Sequence, residues 1–526
     1  MIVSNIKTPG VYINELNAFP NSVVPVATAV PAFIGYTPQA SYQGKSYVNV
    51  PQKIGTFDEF LAIYGFPNPP PPASPVKQYS PSYSLVKQKA QPEKGDYIQI
   101  GNVFYSILPD PNTIYYMYNS IQLFYQNGGG DAYIVSVGTY GAPSGNTINP
   151  GDLVVNANVS LTDLTKGLAL LMNEDEPTMY ICPEATLLSV PDNSTLMESM
   201  LAQASAKQTA VALFDIIGGF APDPLMYSND ITTFRNSLGN NSLDFGAAYY
   251  PFVGTTIMQS NNIDYTNLFG GDVSLLAPLL NSPGSPNQAA ATILTNIQNP
   301  SPNSLTVSQY NNALINASQT YSMIIKHVLS NANMLPATGA IAGLITTIDN
   351  NEGVWKAPAN ASIIGATSLP IRLSDDQQGP LNMDAVSGKS INVIRFFNGL
   401  GILVWGARTL DGNSLDWKYL SVRRTMIFLE QSCKLACQAY VFEPNVKNTW
   451  EAVKSMIGSF LNTIWKEGGL QGATPTDAFV VQCGLGETMT GDDILAGFMN
   501  VSIGVAVTHP AEFIVLTFQQ KMATSS

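Results

Sequence analysis

Charge is scarce in this chain. Only 12 % of its 526 residues are Asp, Glu, Lys or Arg, roughly half the usual share. A protein of this size normally covers itself in charge. Either much of the surface is hidden against other subunits, or Asn, Ser, Thr and Gln do the solvating. The charge present leans acidic, 24 Lys+Arg against 37 Asp+Glu for a net −13. No basic run or patch stands out, which excludes nucleic acid as the expected partner. No apolar run approaches the roughly 20 residues of a membrane-spanning helix, so direct membrane insertion is not expected. The first ten residues lack the basic flank and apolar stretch of a signal peptide. Without a secretion route, the four cysteines, Cys182, Cys433, Cys437 and Cys483, read as reduced, buried thiols.

Catalytic residue types are equally thin. The two histidines, His327 and His509, stand apart from any ligand-spaced cluster, and His509 precedes Pro510 as a turn residue would. Cys433 and Cys437 lie one helical turn apart, which is half of a metal site, but no second pair completes it and core packing is the better reading. Gly484-Leu-Gly-Glu-Thr-Met-Thr-Gly491 lacks the Lys-Ser/Thr of a phosphate-binding loop and reads as a turn. Asp349 and Glu352 form an acid pair no more distinctive than many others. No cofactor, metal or catalytic residue is therefore assigned.

What the chain does have is alternating helix and strand patterning, with 45 % apolar residues to fill large cores. Residues 32–35 read as a buried strand. Thr56 and Glu59 read as the capping box of a helix that Gly65 stops. Residues 66–76 carry six prolines and read as a polyproline-like surface loop. A hairpin is expected within 97–107. Helix, glycine turn and strand then recur: 115–127 with 132–137, 161–172 with 179–182, and 197–207 with 210–215, followed by a strand over 247–253. This alternation argues for an α/β layer. Residues 254–335 are rich in Asn, Ser and Pro and read as an inserted region with helices at 288–297 and 307–329.

Signals sharpen after Gly388. Two strands, 391–397 and 401–408, meet at a glycine turn, and a long helix covers 416–439. Asn448 and Glu451 read as the cap of a second helix. Its apolar positions, Trp450, Val453, Met456, Ile457, Phe460, Leu461, Ile464 and Trp465, step by three and four into one stripe. Strands follow at 479–483 and 501–507. Both chain ends are strand-like yet have no hairpin partner nearby. Val11, Tyr12 and Ile13 follow Pro9-Gly10. Residues 512–519, Glu-Phe-Ile-Val-Leu-Thr-Phe-Gln, are apolar on both faces and want cover on both.

A family resemblance runs through these residues. Thr8-Pro-Gly-Val-Tyr-Ile13 with Glu15, Pro336, Gly339-Ala-Ile-Ala-Gly343, Asp349 and Gly353-Val-Trp-Lys-Ala-Pro-Ala-Asn360 carry its first part. Leu381-Asn382, Ile391-Asn-Val-Ile-Arg395, Trp405-Gly-Ala-Arg-Thr-Leu410, Arg423-Arg424, Phe442-Glu-Pro-Asn445, Leu470-Gln-Gly472 and Pro510-Ala-Glu-Phe-Ile514 carry the rest. Together they resemble the tail sheath proteins of contractile injection machines: contractile phage tails, R-type pyocins, type VI secretion systems and extracellular injection particles. Asn350-Asn-Glu352 departs from the Arg-Gly the family often carries before its Val-Trp. Residues 66–110 and 254–335 carry no part of the resemblance.

The resemblance implies a multidomain α/β sheath fold. Its expected parts are an N-terminal arm (1–30), an outer α/β domain (31–253 and 336–387) interrupted by a variable outer insert (254–335), a C-terminal core domain (388–509) and a C-terminal arm (510–526). It implies that Val11, Tyr12, Ile13, Glu15 and Leu16 of one arm, and Phe513, Ile514, Val515, Leu516 and Phe518 of the other, complete sheets in neighbouring subunits, with hinges near 17–25 and 508–510. The alternative is that both ends pair within their own chain. On the striped helix, the outward Glu451, Lys454, Asn462 and Lys466 either touch an inner tube or form a solvated face. The implied partners are further copies of the chain, an inner tube protein, baseplate and terminal cap proteins, and sheath paralogues. The implied location is a phage tail or phage-tail-like particle assembled in the cytoplasm and released. A baseplate- or cap-proximal paralogue, or a soluble α/β enzyme forming particles of one size with a closed pocket, are the rival readings.

Overall fold

The computed structural model describes residues 22–67, 81–281, 286–302 and 304–516. The stretch 11–16, most of the proline-rich stretch and Phe518 lie outside the described residues. By mutual contact the described residues divide into two units, 27–427 with 509–516, and 428–508 with 22–26.

The larger unit is built on a nine-stranded sheet. Its strands are β1 (Pro31–Thr37), β2 (Gln52–Ile54), β3 (Ala132–Thr139), β4 (Met179–Ile181), β5 (Val211–Asp215), β6 (Gly246–Tyr250), β7 (Ala361–Ser362), β8 (Ile391–Phe397) and β9 (Gly401–Val404). They lie in the order β7-β9-β8-β6-β5-β4-β1-β3-β2. The six strands from β8 to β3 run parallel, and antiparallel strands close both margins. The chain enters in the middle at β1, steps out to β3, then crosses back to β4 and proceeds the other way. This is a doubly wound sheet whose order reverses between β1 and β4. Such strands are covered on both faces and read as unbroken apolar runs. All seven residues of β1 and all five of β5 are buried accordingly.

Helices α1 (Met117–Gln126), α2 (Leu161–Leu170), α3 (Val190–Lys207) and α4 (Thr338–Glu352) belong to this unit. Phe33 meets Phe124 of α1 with ring centres 5.5 Å apart, while Ile34 occupies the space beside Gly167 of α2. Neighbouring strand residues point to opposite faces, so α1 and α2 cover opposite sides of β1. Gly339 and Gly343 explain their own presence: a Cβ at either would strike a backbone carbonyl of α1, Ser120 or Phe124. Two small residues one turn apart let α4 lie directly on α1.

Several expectations are met with adjusted bounds, and four are corrected. The Thr56 hydroxyl accepts from Glu59 N at 3.2 Å, but the Glu59 carboxylate accepts from Gly55 N, not from the cap residue. The helix expected over 307–329 is two, Val307–Ala317 and Gln319–Ala332, because Ser318 turns extended and its hydroxyl caps the second at Tyr321 N. The hairpin β8–β9 turns through Gly399 and Gly401 at φ 80° and 86°, where a side chain would be strained. Since β8 pairs in parallel with β6, residues 391–404 belong to the large sheet, and the division expected at 388 falls at 428. Within 254–335, Met334–Leu335 pairs with Val253–Thr255, which pairs in turn with Ala366–Ser368.

The helix α5 (Leu420–Cys437) leads to α6 (Lys447–Lys466), which lies over the smaller unit's two-stranded antiparallel sheet, β10 (Phe479–Gln482) and β11 (Ser502–Val505). The fourth correction is the start of α6. Asn448 does not cap it; the helix begins at Lys447 with no side-chain cap. The loop holds that turn instead, through Thr449 Oγ1 donating to Pro444 O at 2.6 Å and Trp450 Nε1 donating to Asn445 Oδ1 at 2.7 Å.

Candidate assembly surface

The smaller unit shows how a short sheet is left half-finished. Val453, Met456, Ile457, Phe460, Leu461 and Ile464 of the stripe are buried, with Phe428 beside Phe460 at 6.0 Å. Against this cover the sheet has only two strands among the described residues, and a two-stranded sheet is marginal in water. Val480 and Ile503 are 52 % and 38 % exposed on it.

The four outward positions proposed on α6 do face away from that core to differing degrees. Glu451 and Lys466 are exposed, and Lys454 and Asn462 are half-buried. Lys454 Nζ pairs with Glu451 at 2.9 Å and reaches Glu487 at 4.0 Å. The hydrogen bond that the Lys454 ammonium donates to Glu451 holds its pKa above the ordinary value. Pairs of this kind contribute little to stability.

The C-terminal segment is the second component. The strand expected from residue 512 is not formed up to Leu516: Phe513, Ile514, Val515 and Leu516 lie in no strand and are 67 %, 79 %, 86 % and 74 % exposed. No strand of the described residues runs alongside to complete a ladder. Immediately before this stretch, Glu512 is firmly held. Its carboxylate accepts from Arg408 Nε at 3.0 Å and Nη2 at 2.6 Å, from Asn382 Nδ2 at 2.7 Å and from the Tyr419 hydroxyl at 3.1 Å. Burial alone would raise this carboxyl, but the bonds from Arg408 and Asn382 outweigh it and hold the group below the ordinary carboxylate range. Arg408 is itself fixed: its backbone N–H donates to Asn392 Oδ1, and Asn392 Nδ2 donates to its carbonyl, both at 2.8 Å.

A parallel arrangement stands near the other end. Arg424 donates to both carboxylate oxygens of Asp349, at 3.0 Å from Nη1 and 2.5 Å from Nη2, and Nη2 also donates to Thr28 O at 2.9 Å. The two side chains are 3 % and 2 % exposed, so the pair is removed from water. Asp349 therefore partners Arg424, while Glu352 pairs with Lys356 at the surface.

Reaction chemistry finds little support. A cavity of about 460 Å³ in the larger unit is lined by Tyr115, Tyr116, Tyr118 and Tyr140 among other aromatic and amide side chains, with no His, Cys, Asp, Glu, Lys or Arg among the described lining residues. A smaller cavity of about 160 Å³ gathers Lys94, Asp96, Asp152, Asp223 and Asp230. Burial pushes Asp230 up to about 6, and its hydrogen-bond partner there among the described residues is the Tyr250 phenol, at 3.4 Å. Two fully buried acids serve the fold. Glu184 accepts from Met117 N at the start of α1 at 2.8 Å, and Asp215 accepts from Ala337 N at 2.7 Å and Thr338 N at 3.2 Å at the start of α4. Burial raises them to about 8 and about 6. His327 contacts Asp96 at 3.0 Å, a hydrogen bond that raises its pKa. Burial of Cys433 pushes its thiol up to about 12.

Sequence reasoning placed Arg408, Arg424, Asp349, Asn382, Asn392 and Glu512 in signatures but assigned them no contacts, and passed over Tyr419. One signal was available: Glu512 is a lone carboxylate opening an otherwise apolar run. Its partner lies 104 positions away, a distance no local pattern spans.

The fold matches those of contractile sheaths over nearly the whole length of the chain. The contracted sheath of the extracellular contractile injection system PVC is 24 % identical, with TM-score 0.58 and 98 % of each chain covered. The contracted helical sheath of the anti-feeding prophage is 24 % identical, with TM-score 0.56 and 98 % and 100 % covered. The phage tail sheath protein central domain matches residues 284–410, and the phage tail sheath C-terminal domain matches 413–521. Two domains of phage tail sheath proteins thus match consecutive stretches of this chain. The central-domain match begins inside the stretch 254–335 that the sequence reading set apart. Among curated relatives, the tail sheath protein of Burkholderia phage BcepMu is 26 % identical over 149 residues, and that of Vibrio phage KVP40 is 28 % identical over 166 residues. Those matches take in 27 % and 30 % of this chain, and only 31 % and 24 % of the relatives' own length. No helix of the described residues is long and apolar enough to cross a membrane.

Proposed function

We propose that this chain is a structural sheath subunit that polymerises with copies of itself around an inner tube and shortens to drive the tube through a target envelope. The observation that carries the reading is the pairing of an incomplete sheet with an unpartnered segment. β10 and β11 make a sheet of two strands, and Phe513 to Leu516 are four exposed apolar residues behind an anchored carboxylate. Within a polymer, each deficit answers the other: the segment of one copy, and residues 11–16 by the same logic, add strands to the sheet of the next. At roughly 1 kcal/mol net per backbone hydrogen bond plus apolar burial, each addition contributes several kcal/mol, repeated at every subunit. The scarcity of charge fits surfaces that face other copies.

The reading assigns no reaction to the chain. Its further partners are an inner tube protein, met by Glu451, Lys454, Asn462 and Lys466 through weak contacts that release on contraction, and baseplate and cap proteins at the ends of the polymer. The particle is assembled in the cytoplasm and released. The domain plan is an outer part of 31–253 and 336–387, an outer region 254–335, and arms at 1–30 and 510–526.

Negative-stain electron microscopy of the full chain beside a chain ending at Glu512 tests the reading. Long hollow tubes from the first and single subunits from the second are expected. Compact particles of one size from both would overturn it. Reversing Lys454 and Lys466 to Glu should abolish tube capture without disturbing subunit folding; intact capture would leave α6 with a merely solvated face.

A further inference from the structure

We infer that Arg408 and Arg424 are positioning residues that root the larger unit's first and last segments, at Thr28 and Glu512, so that the segment beginning at Phe513 leaves every subunit from one fixed point. The inference rests on the assembly reading above and specifies how that assembly is aimed.

The transition from held to released chain occupies a single peptide bond. Glu512 accepts from four donors on Arg408, Asn382 and Tyr419. The next four residues are at least 67 % exposed. An arginine fork grips a carboxylate in one plane, whereas a lysine offers only a point charge. The grip therefore fixes direction as well as position. Arg408 can impose that direction because it is 4 % exposed and its backbone is clamped on both sides by Asn392. A further Nη1–H donates to Gly412 O at 3.2 Å.

Arg424 repeats the device. Its fork is set by Asp349, and the same Nη2 that meets Asp349 also holds Thr28 O, close to where the larger unit begins. Arg408 thus grips the last segment through its carboxylate partner Glu512, and Arg424, set by Asp349, holds the first segment at Thr28. A segment that must find a sheet edge on another copy loses much less entropy if its departure is preorganised. Two consequences follow. The C-terminal flexure lies after Glu512 rather than at 508–510, and Thr28 and Glu512 move with the same body.

The test compares the wild-type full chain with Glu512→Gln, Arg408→Lys and Arg424→Lys by hydrogen exchange of unassembled subunits, thermal melting and electron microscopy. Glu512→Gln and Arg408→Lys should each speed exchange in 509–513 about tenfold, leave the amides of β5 protected, and reduce tube yield. Arg424→Lys should do the same for 27–29. A merely stabilising ion pair would instead lower protection throughout the larger unit, and that result would overturn the inference. Unchanged exchange at 509–513 in Glu512→Gln would overturn it as well, as would Arg408→Lys behaving like wild type. Absence of tubes from the wild-type chain would sink the assembly reading, while the exchange of the subunit would still decide the anchor.

Discussion

Glu184 offers a quantitative test of how this sheet is built. It sits just past β4, beside the point where the strand order reverses, and is fully buried. Its carboxyl is pushed from 4.5 up to about 8, by burial first, against the hydrogen bond from Met117 N. The folded chain therefore binds this proton more tightly than the unfolded chain does. The stabilisation is complete below about pH 4.5 and is lost as pH rises towards 8. At about 1.4 kcal/mol per pH unit, the ceiling on that loss is roughly 5 kcal/mol. Partial relaxation around the ionised group brings the expected loss to roughly 2–4 kcal/mol. Glu184→Gln keeps an oxygen to accept from Met117 N but has no proton to lose. Denaturant unfolding of both proteins between pH 5 and 8.5 should give curves that separate as pH rises, with the variant the more stable at the alkaline end. Asp215, raised to about 6, and His327, raised by its hydrogen bond to Asp96, lose stability in the same direction. The difference between variant and wild type is therefore the quantity to read. Parallel curves above pH 6 would refute the assignment of a buried, protonated Glu184.

Three further outcomes are expected. Val515→Asp, at a position 86 % exposed in the single chain, should change subunit stability by less than about 0.5 kcal/mol yet abolish tubes under electron microscopy; normal tubes would contradict the strand-addition reading. Asp349→Ala leaves the buried Arg424 without its carboxylate and should cost roughly 3–5 kcal/mol, seen as a lower denaturant midpoint. Gly343→Ala drives a Cβ into the Phe124 carbonyl and should cost roughly 1–3 kcal/mol by forcing α4 off α1; an unchanged melting temperature would show that the helices have room to part.

The sequence by itself determined the elements. Apolar runs with β-branched residues marked β1, β3, β5 and β8, and steps of three and four marked α6, because a strand or helix is written in neighbours along the chain. The low charge, the unpartnered chain ends and the family signatures were legible for the same reason. The glycine pair Gly339 and Gly343 was visible as a motif, but its purpose was not, since the carbonyls it makes room for belong to α1. Tertiary structure alone decided that β8 joins β6, that the division falls at 428, and that Ser318 breaks one expected helix into two. It alone brought Glu512 to Arg408 and Asp349 to Arg424. Pairings of this kind depend on which strands and helices become neighbours after the chain has crossed itself, and buried charges find partners by proximity in space, which sequence spacing does not encode.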